Sequence, residues 1–227
     1  IINAFVLGFA SSFKILFGNY KVVIATSSPP ILSAFMISIA SRIKGLRFIY
    51  YCMDINPEIG ILSGDFRNNI LKKVLLSIDK FICRQANTII VHSNSMKRTL
   101  QMRFRRRKLD IQIINSLSVP FESNKINVNV NKSLEKSLKI IYAGNIGRFQ
   151  GLENIIFTFN YLKKYKDIEL TFLGDGVEKF RLKKICEELK INIKFKDYVS
   201  YQVSKKIISE ADLGLVSLIP NMYKYSY

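Results

Sequence analysis

Residues 142–156 read "YAGNIGRFQGLENII". This stretch opens with strand-forming residues, breaks into a loop with three glycines and one arginine, and closes on a helical pattern. Gly144, Gly147 and Gly151 allow close approach to the backbone, and the amino end of the following helix attracts an anion. Arg148 adds a guanidinium group that suits phosphate oxygens. The pattern predicts either a diphosphate site or a tight strand-to-helix turn without a ligand, and it does not match the GxGxxG fingerprint of dinucleotide-binding folds.

Apolar, strand-like runs alternate with helical patterns on both sides of this stretch. The predicted strands cover residues 21–28, 46–54, 87–93, 137–144, 168–176, 191–200 and 212–220. The predicted helices cover residues 29–45, 66–86, 94–104, 151–166, 177–190 and 201–211. Because the strands are nearly continuous apolar runs, we expect them to be buried on both faces of parallel sheets. The alternation predicts two doubly wound α/β domains, each with a crevice at its strand ends.

The domain boundaries follow from a change in composition in the middle of the chain. Residues 118–137, "SVPFESNKINVNVNKSLEKS", are rich in Asn, Ser and Lys and lack helical periodicity. We therefore predict a first domain over residues 1–115, a linker over 116–138 and a second domain over 139–227. The chain begins with Ile rather than Met and ends directly after a strand-like run, so we expect a fragment that is incomplete at both ends.

The charge of the chain is strongly positive. Thirty-five Lys and Arg residues against 17 Asp and Glu residues give a net charge of +18, which favours a polyanionic partner. The densest cluster is Arg103–Lys108, which we interpret either as a solvated helix end or as part of a basic binding surface. Aromatic residues are not interleaved with a basic strand as in RNA-binding sheets, so a membrane partner is favoured over nucleic acid.

Cysteine and histidine residues are too few for a metal or disulfide framework. The three cysteines are far apart in sequence, and His92, which closes a strand, is interpreted as structural. The longest apolar stretches, residues 1–13 and 29–41, fall short of the roughly 18 residues that span a bilayer. No spanning helix is predicted, although Ile1–Phe17 is apolar enough to rest on a membrane surface.

Taken in order, these segments resemble a known enzyme family. "IIYAGNIGRFQGLENII", "ELTFLGDGVEKFRLKK" and the run from residue 193 to 220 resemble the donor-binding half of family 4 glycosyltransferases, which have the GT-B fold of two facing Rossmann-like domains. "VVIATSSPP", "YYCMDINPEIGILSG" and "TIIVHSNSMKRTL" resemble the acceptor-side domain of bacterial members that build O-antigen, capsule or exopolysaccharide units. The resemblance covers essentially the whole chain and implies a GT-B-like fold with both domains incomplete.

The resemblance implies a set of donor-binding residues in the second half. Gly144, Asn145, Gly147 and Arg148 are implied to bind the donor diphosphate. Gln150 stands where many relatives carry Lys, so Arg148 would carry more of the charge. The loop "KDYVS" is implied to pack the nucleobase, which nominates Tyr198 and Val199, although Val199 is equally well explained as a strand end packed on the core. Asp175 is interpreted as a helix cap.

The first half supplies the residues implied to contact the acceptor. Many relatives carry a His-Asp pair after the matching strand, but here the pair is Met53-Asp54, so only the aspartate remains. Asp54 is therefore the candidate catalytic residue, in contact with acceptor or sugar hydroxyls, and Glu58 is a second acceptor-side candidate. A purely structural role for Asp54, as a cap of the following segment, stays open.

The function implied is transfer of a sugar from a nucleotide-diphosphate sugar to a lipid-linked saccharide, of hexosyl or N-acetylhexosaminyl type, with retention of configuration. The expected partners are the nucleotide sugar, a polyprenyl-diphosphate-linked acceptor and the anionic inner face of the cell membrane, where the enzyme would be peripheral and cytoplasmic. Neither a metal nor a cofactor is expected, nor is nucleic acid. Because the family's sugar-gripping glutamates would follow Tyr227, we expect the chain as given to be inactive. The alternative is a non-catalytic basic α/β protein that binds nucleic acid or an anionic membrane.

Overall fold

The computed structural model describes residues 2–28, 31–62, 68–105, 108–115, 137–162, 164 and 167–225. The chain divides into two compact units, one of Ile1–Phe121 with Pro220–Tyr227 and one of Glu122–Ile219. Each unit contains one four-stranded sheet in which all the paired strands are parallel. The prediction of two parallel-sheet α/β regions is confirmed.

The division differs from the predicted domain boundaries at the end of the chain. Residues from Pro220 onward group with the first unit, where the backbone N–H of Ile55 donates to the carbonyl oxygen of Tyr225 over 2.7 Å. Most of the predicted linker, residues 116–136, lies outside the described residues.

The first unit is a sheet with helices packed on it. Its elements are α1 (Ile2–Phe17), β1 (Val22–Thr26), α2 (Leu32–Ile43), β2 (Arg47–Tyr51), α3 (Glu58–Leu62), α4 (Asn69–Gln85), β3 (Thr88–Val91), α5 (Asn94–Arg103), β4 (Ile111–Ile113) and a 3-10 turn (Met222–Lys224). The strands lie in the order β1-β2-β3-β4. The capping side chains of Asn68 and Ser93 start α4 and α5 by accepting hydrogen bonds from first-turn amides, as such residues do at helix amino ends.

The core of this unit lies on one face of its sheet. Alternate strand residues such as Phe48, Tyr50 and Ile89 are buried with apolar residues of α2, α4 and α5. On the opposite face Val22 and Ile24 of β1 are 46% and 61% exposed. The expectation that the apolar strands are buried on both faces is therefore wrong for β1, because the helices of the described part of this unit pack on the other side of that strand.

The second unit contains the strand, glycine-containing loop and helix of residues 142–156. Its elements are β5 (Leu138–Ala143), α6 (Leu152–Leu162), β6 (Ile168–Leu173), α7 (Lys179–Glu188), β7 (Lys194–Lys196), α8 (Tyr201–Ser209) and β8 (Leu213–Leu215). The strands lie in the order β7-β6-β5-β8. The chain thus runs outward from β5 to β7 and then returns to the other side of β5, which is the reversal typical of doubly wound sheets.

Candidate functional site

The reversal of strand order in the second unit lies between β5 and β8. The strands β5 and β8 are parallel neighbours, so the loops that follow Ala143 and Leu215 leave the sheet at the same edge. Open α/β sheets bind ligands at the carboxyl ends of the strands, beside such a reversal. The glycine stretch occupies this position.

Hydrogen bonds hold the loop after β5, called here the glycine loop (residues 144–151), in one conformation. The hydroxyl of Tyr142 donates to the carbonyl oxygen of Asn145 over 2.7 Å, and the amide of Gly147 donates to Oε1 of Gln150 over 3.1 Å. Ile146 is fully buried in the core of the unit. The loop is therefore shaped before any ligand arrives.

The segment after β8 binds the same loop from its other side. The hydroxyl of Ser217 donates to the carbonyl oxygen of Gln150 over 2.6 Å. The backbone amide of Ile219 donates to the carbonyl oxygen of Phe149 over 2.7 Å. These two bonds join the two loops that flank the strand reversal.

The turn that follows β6, residues 174–176, contains two glycines and contacts the glycine loop. The amide of Ile146 donates to the carbonyl oxygen of Asp175, and a Cβ atom added at Gly174 would lie 2.0 Å from the carbonyl oxygen of Gly144. The backbones of the two turns are in direct contact, so glycine is required at this position. Asp175 is not the cap of α7, since that helix begins four residues later and the Asp175 carboxylate accepts from the amide of Gly176.

Charged side chains line a cavity of about 160 Å³ at the amino end of α6. Arg181 forms ion pairs with Glu178 over 2.6 Å and with Glu153 over 2.8 Å, and these carboxylates raise its pKa. Arg148 is 53% exposed and lies 3.8 Å from Glu178, at the outer limit of an ion pair. Arg148 and Arg181 thus place two guanidinium groups at the edge of this cavity.

The structure places the remaining predicted donor residues at the same sheet edge. Asn145 is exposed in the glycine loop. Tyr198, which is 79% exposed, and the half-buried Val199 follow β7, whose Lys196 carbonyl accepts from the amide of Gly174. The predicted roles of these residues in donor binding stay predictions.

The first unit places Asp54 at the carboxyl end of β2, as the sequence predicted. Asp54 is half-buried, and its backbone N–H donates to the hydroxyl of Ser27 over 2.9 Å, which ties it to the end of β1. Its carbonyl oxygen accepts from the side-chain amide of Asn56. Asp54 thus lies at the edge of the sheet where open α/β folds generally bind ligands, and its catalytic role stays a prediction.

Glu58 belongs to an interior charge cluster of Glu58, Asp79 and Arg103. Nη2 of Arg103 lies 2.6 Å from Oε1 of Glu58, and its Nη1 contacts Oδ2 of Asp79. Burial raises the pKa of Asp79 to about 6, against the lowering effect of Arg103. The ion pair explains Glu58 without any ligand, so contact of Glu58 with an acceptor stays a prediction.

Arg103 does not fit the interpretation of the basic run as a solvated helix end, whereas Arg105 and Lys108 are exposed. The Arg103 side chain is only 7% exposed, while Arg106 and Arg107 lie outside the described residues. His92 is buried, with its ring 5.2 Å from that of Tyr51 and its Nδ1 3.2 Å from the carbonyl oxygen of Ile114.

The sequence reasoning missed three residues that shape the site, namely Tyr142, Gln150 as a loop support, and Ser217. Each acts through a contact with the backbone of the glycine loop. Ser217 lies two residues beyond the end of β8, within the run that the sequence predicted as strand, so no local signal marked it.

Within the described part of the chain, no three His, Cys, Asp or Glu side chains lie together in a group suited to a metal ion. None of its helices combines the length and the apolar character needed to cross a bilayer.

Comparison with known proteins gives a family match and a shared fold. Residues 123–219 match the family model described as glycosyl transferases group 1. An uncharacterized glycosyltransferase of Methanocaldococcus jannaschii, MJ1059, is 24% identical over 135 residues, which cover 56% of this chain and 32% of that protein.

Solved structures share the architecture. The lipopolysaccharide outer core galactosyltransferase WaaB in its apo form aligns with a TM-score of 0.62 at 14% identity, over 96% of this chain and 55% of WaaB. Anabaena Alr3699/HepE in complex with UDP aligns with a TM-score of 0.64 at 14% identity, over 92% of this chain and 55% of that chain. The fold is GT-B-like α/β.

The chain spans about half the length of these solved structures and about a third of the curated relative. The family match covers residues 123–219, and the likeness to the solved structures concerns the fold.

Proposed function

We propose that this protein transfers a sugar from a nucleotide-diphosphate sugar to a hydroxyl group of an acceptor. The observation that carries the proposal is the glycine loop, which is fixed at the strand reversal, opens onto the amino end of α6 and carries Arg148. Backbone amides at a helix amino end and a guanidinium together form a site for a diphosphate.

The chemistry follows from the leaving group. In the transfer the bond between the anomeric carbon and the diphosphate oxygen breaks, and the acceptor oxygen bonds to that carbon as its proton is released. Negative charge then collects on the nucleoside diphosphate, where fixed amide dipoles and Arg148 stabilise it. Asp54 is the group that we propose to contact the reacting hydroxyls, and the reaction uses neither a metal nor a cofactor.

The finer features of the proposal are the substrates and the place of action. HepE has been solved with UDP and with UDP-glucose, and WaaB is a lipopolysaccharide galactosyltransferase. By analogy, we propose a hexosyl or N-acetylhexosaminyl donor, retention of configuration and a lipid-linked saccharide acceptor in cell-surface polysaccharide synthesis. The protein would work as a peripheral enzyme on the inner face of the cell membrane.

Ligand-dependent melting of the 227-residue chain tests the donor site. UDP or GDP should raise the melting temperature, because a ligand that binds only the folded state stabilises it. Arg148→Ala should weaken diphosphate binding by about 1.5–3 kcal/mol and leave uridine or guanosine binding unchanged. Lys206→Ala, at an exposed position on α8, is the matched control and should change neither.

Other outcomes would overturn the proposal. An equal loss of diphosphate and nucleoside binding in Arg148→Ala would place the arginine away from the phosphates. Selective stabilisation by an oligonucleotide, without any response to UDP or GDP, would favour the non-catalytic basic protein instead.

A further inference from the structure

Lys179 is a buried lysine at the amino end of α7. Its side chain is 11% exposed, which is uncommon for a lysine unless its ammonium group has polar partners. It is also the first residue of the helix, where the helix dipole disfavours a cation. Burial of a cation at this place therefore has to be explained by the groups that the ammonium contacts.

The partners of the Lys179 ammonium lie in two neighbouring loops. Its Nζ donates to the carbonyl oxygen of Gly174 over 3.1 Å, in the turn after β6. The same Nζ donates to Oδ1 of Asp197, the first residue after β7, and lies 3.5 Å from Oδ1 of Asp175. An ammonium has three donors, and these three contacts match them. Lys179 thus joins the turn after β6 to the loop after β7.

The loop after β7 receives little support from the sheet. The strand has only three residues, lies at the edge of its sheet and, among the described strands, pairs with β6 alone. The side chain of Asp197 is 88% exposed, so its ion pair with Lys179 ties an outer loop to a buried group. Tyr198, the next residue and 79% exposed, is the residue that the sequence nominated for contact with the nucleobase.

The turn after β6 also contacts the glycine loop. The amide of Ile146 donates to the carbonyl oxygen of Asp175, and the amide of Gly174 donates to that of Lys196 at the end of β7. The group that Lys179 binds in this turn is the carbonyl of Gly174. One ammonium therefore connects the loop after β7, through the turn after β6, to the loop that we propose to bind the diphosphate.

We infer that Lys179 is a positioning residue for the nucleobase of the donor, an inference that rests on the proposed function. In this arrangement the diphosphate lies on the glycine loop, the base stacks on Tyr198, and Lys179 sets the spacing between the two without touching either. Loss of Lys179 then weakens binding of the nucleoside part and leaves binding of the phosphates intact. Direct contact of the ammonium with the phosphates would instead make both fall.

Calorimetry with the 227-residue chain separates the two parts of the ligand. Lys179→Met should lower the affinity for UDP or GDP, whichever the wild type binds more tightly, by about tenfold, which is within the range for one base stacked on an aromatic ring. The affinity for inorganic pyrophosphate should stay at the wild-type value. Lys184→Met, at an exposed position of the same helix, is the matched control and should change neither affinity.

Tyr198→Trp gives a direct report on the base. The chain contains no tryptophan, so the variant carries a single indole whose fluorescence can be followed. The nucleoside diphosphate should quench this fluorescence, and pyrophosphate should not. When Lys179→Met is added, the nucleoside diphosphate concentration for half-maximal quenching should rise about tenfold, in step with the affinity.

Asp197→Ala removes the ion pair from its exposed side and keeps the hydrogen bond from Lys179 to Gly174. Its melting temperature without ligand should therefore be close to that of the wild type, while its affinity for the nucleoside diphosphate should fall several-fold. Lys179→Met/Asp197→Ala should lose no more affinity than Lys179→Met alone, because both changes break the same pair.

Two results would overturn the inference and leave the proposed donor site standing. One is an equal loss of nucleoside diphosphate and pyrophosphate affinity in Lys179→Met, which would place the ammonium at the phosphates. The other is wild-type nucleoside diphosphate affinity in Asp197→Ala, which would show that the ion pair does not position the base. If the wild type bound neither UDP nor GDP, the donor site itself would be refuted, and the inference with it.

Discussion

The guanidinium of Arg103 contacts the carboxylate of Asp79 in the interior of the first unit, where the two side chains are 7% and 1% exposed. Arg103 ends α5 and Asp79 lies in α4, so this pair joins two helices. The same guanidinium reaches Glu58 at the start of α3. One buried arginine therefore holds the segment that follows Asp54 against the body of the unit.

Removal of the arginine should destabilise the first unit strongly. Arg103→Met leaves the buried Asp79 without its cation, and breaking a buried ion pair by loss of one partner costs about 3–5 kcal/mol. Arg98→Met, at an exposed position of the same helix, should change the free energy of unfolding by no more than about 0.5 kcal/mol. Denaturant unfolding measures both, and equal effects would show that the interior pair does not stabilise the unit.

Asp79 should also make stability depend on pH. Its pKa is raised from 3.8 to about 6 in the folded state, first because of burial, so the folded protein holds this proton more tightly than the unfolded chain does. The stabilisation from this group is full below about pH 4 and is lost as the pH rises through about 6.

Comparison with Asp79→Asn isolates this effect from the other titrating groups. Between pH 4 and pH 7 the wild type should lose stability relative to the variant, as measured by urea unfolding at each pH. A difference that stays constant over this range would contradict the raised pKa.

The alternation of strands and helices could be predicted because it depends on local patterns. Apolar runs marked β2 and β5, and the periodicity of residues 66–86 marked the helix observed as α4. The strand β4 and the one-turn helix α3 were not predicted, and residues 1–17, observed as the helix α1, were described only as an apolar stretch.

The burial of side chains was harder to predict, since it depends on tertiary packing. Arg103 belongs to a basic run and has the composition of a surface residue, yet it is buried because Asp79 and Glu58 surround it. In the site, the glycine loop was found from its sequence, but the hydrogen bond from Ser217 joins residues 67 positions apart. No local pattern reports such a contact.

The Ser217 contact should matter for ligand binding more than for folding. Ser217→Ala removes the hydrogen bond to the Gln150 carbonyl, which costs about 0.5–1.5 kcal/mol of stability and loosens the glycine loop. UDP affinity, measured by calorimetry, should fall several-fold. Ser209→Ala, which removes a hydroxyl that donates to the carbonyl oxygen of Lys206 in its own helix, is the control. An equal loss of UDP affinity in both variants would show that Ser217 has no specific effect on the site.

The contact between the two glycine turns gives a sharper test of the site. Gly174 has a φ of +139°, and a Cβ atom there would lie 2.0 Å from the carbonyl oxygen of Gly144, a backbone atom that can move only with the glycine loop. Gly174→Ala should therefore displace the loop, lower the melting temperature of the second unit and abolish the stabilisation by UDP. Gly214→Ala provides the matched control in β8, because its Cβ atom would meet no atom within 4 Å, and it should melt and bind as wild type does. If Gly174→Ala kept wild-type UDP binding, the position of the glycine loop would not determine the donor site, and the proposal that this loop holds the diphosphate would fail.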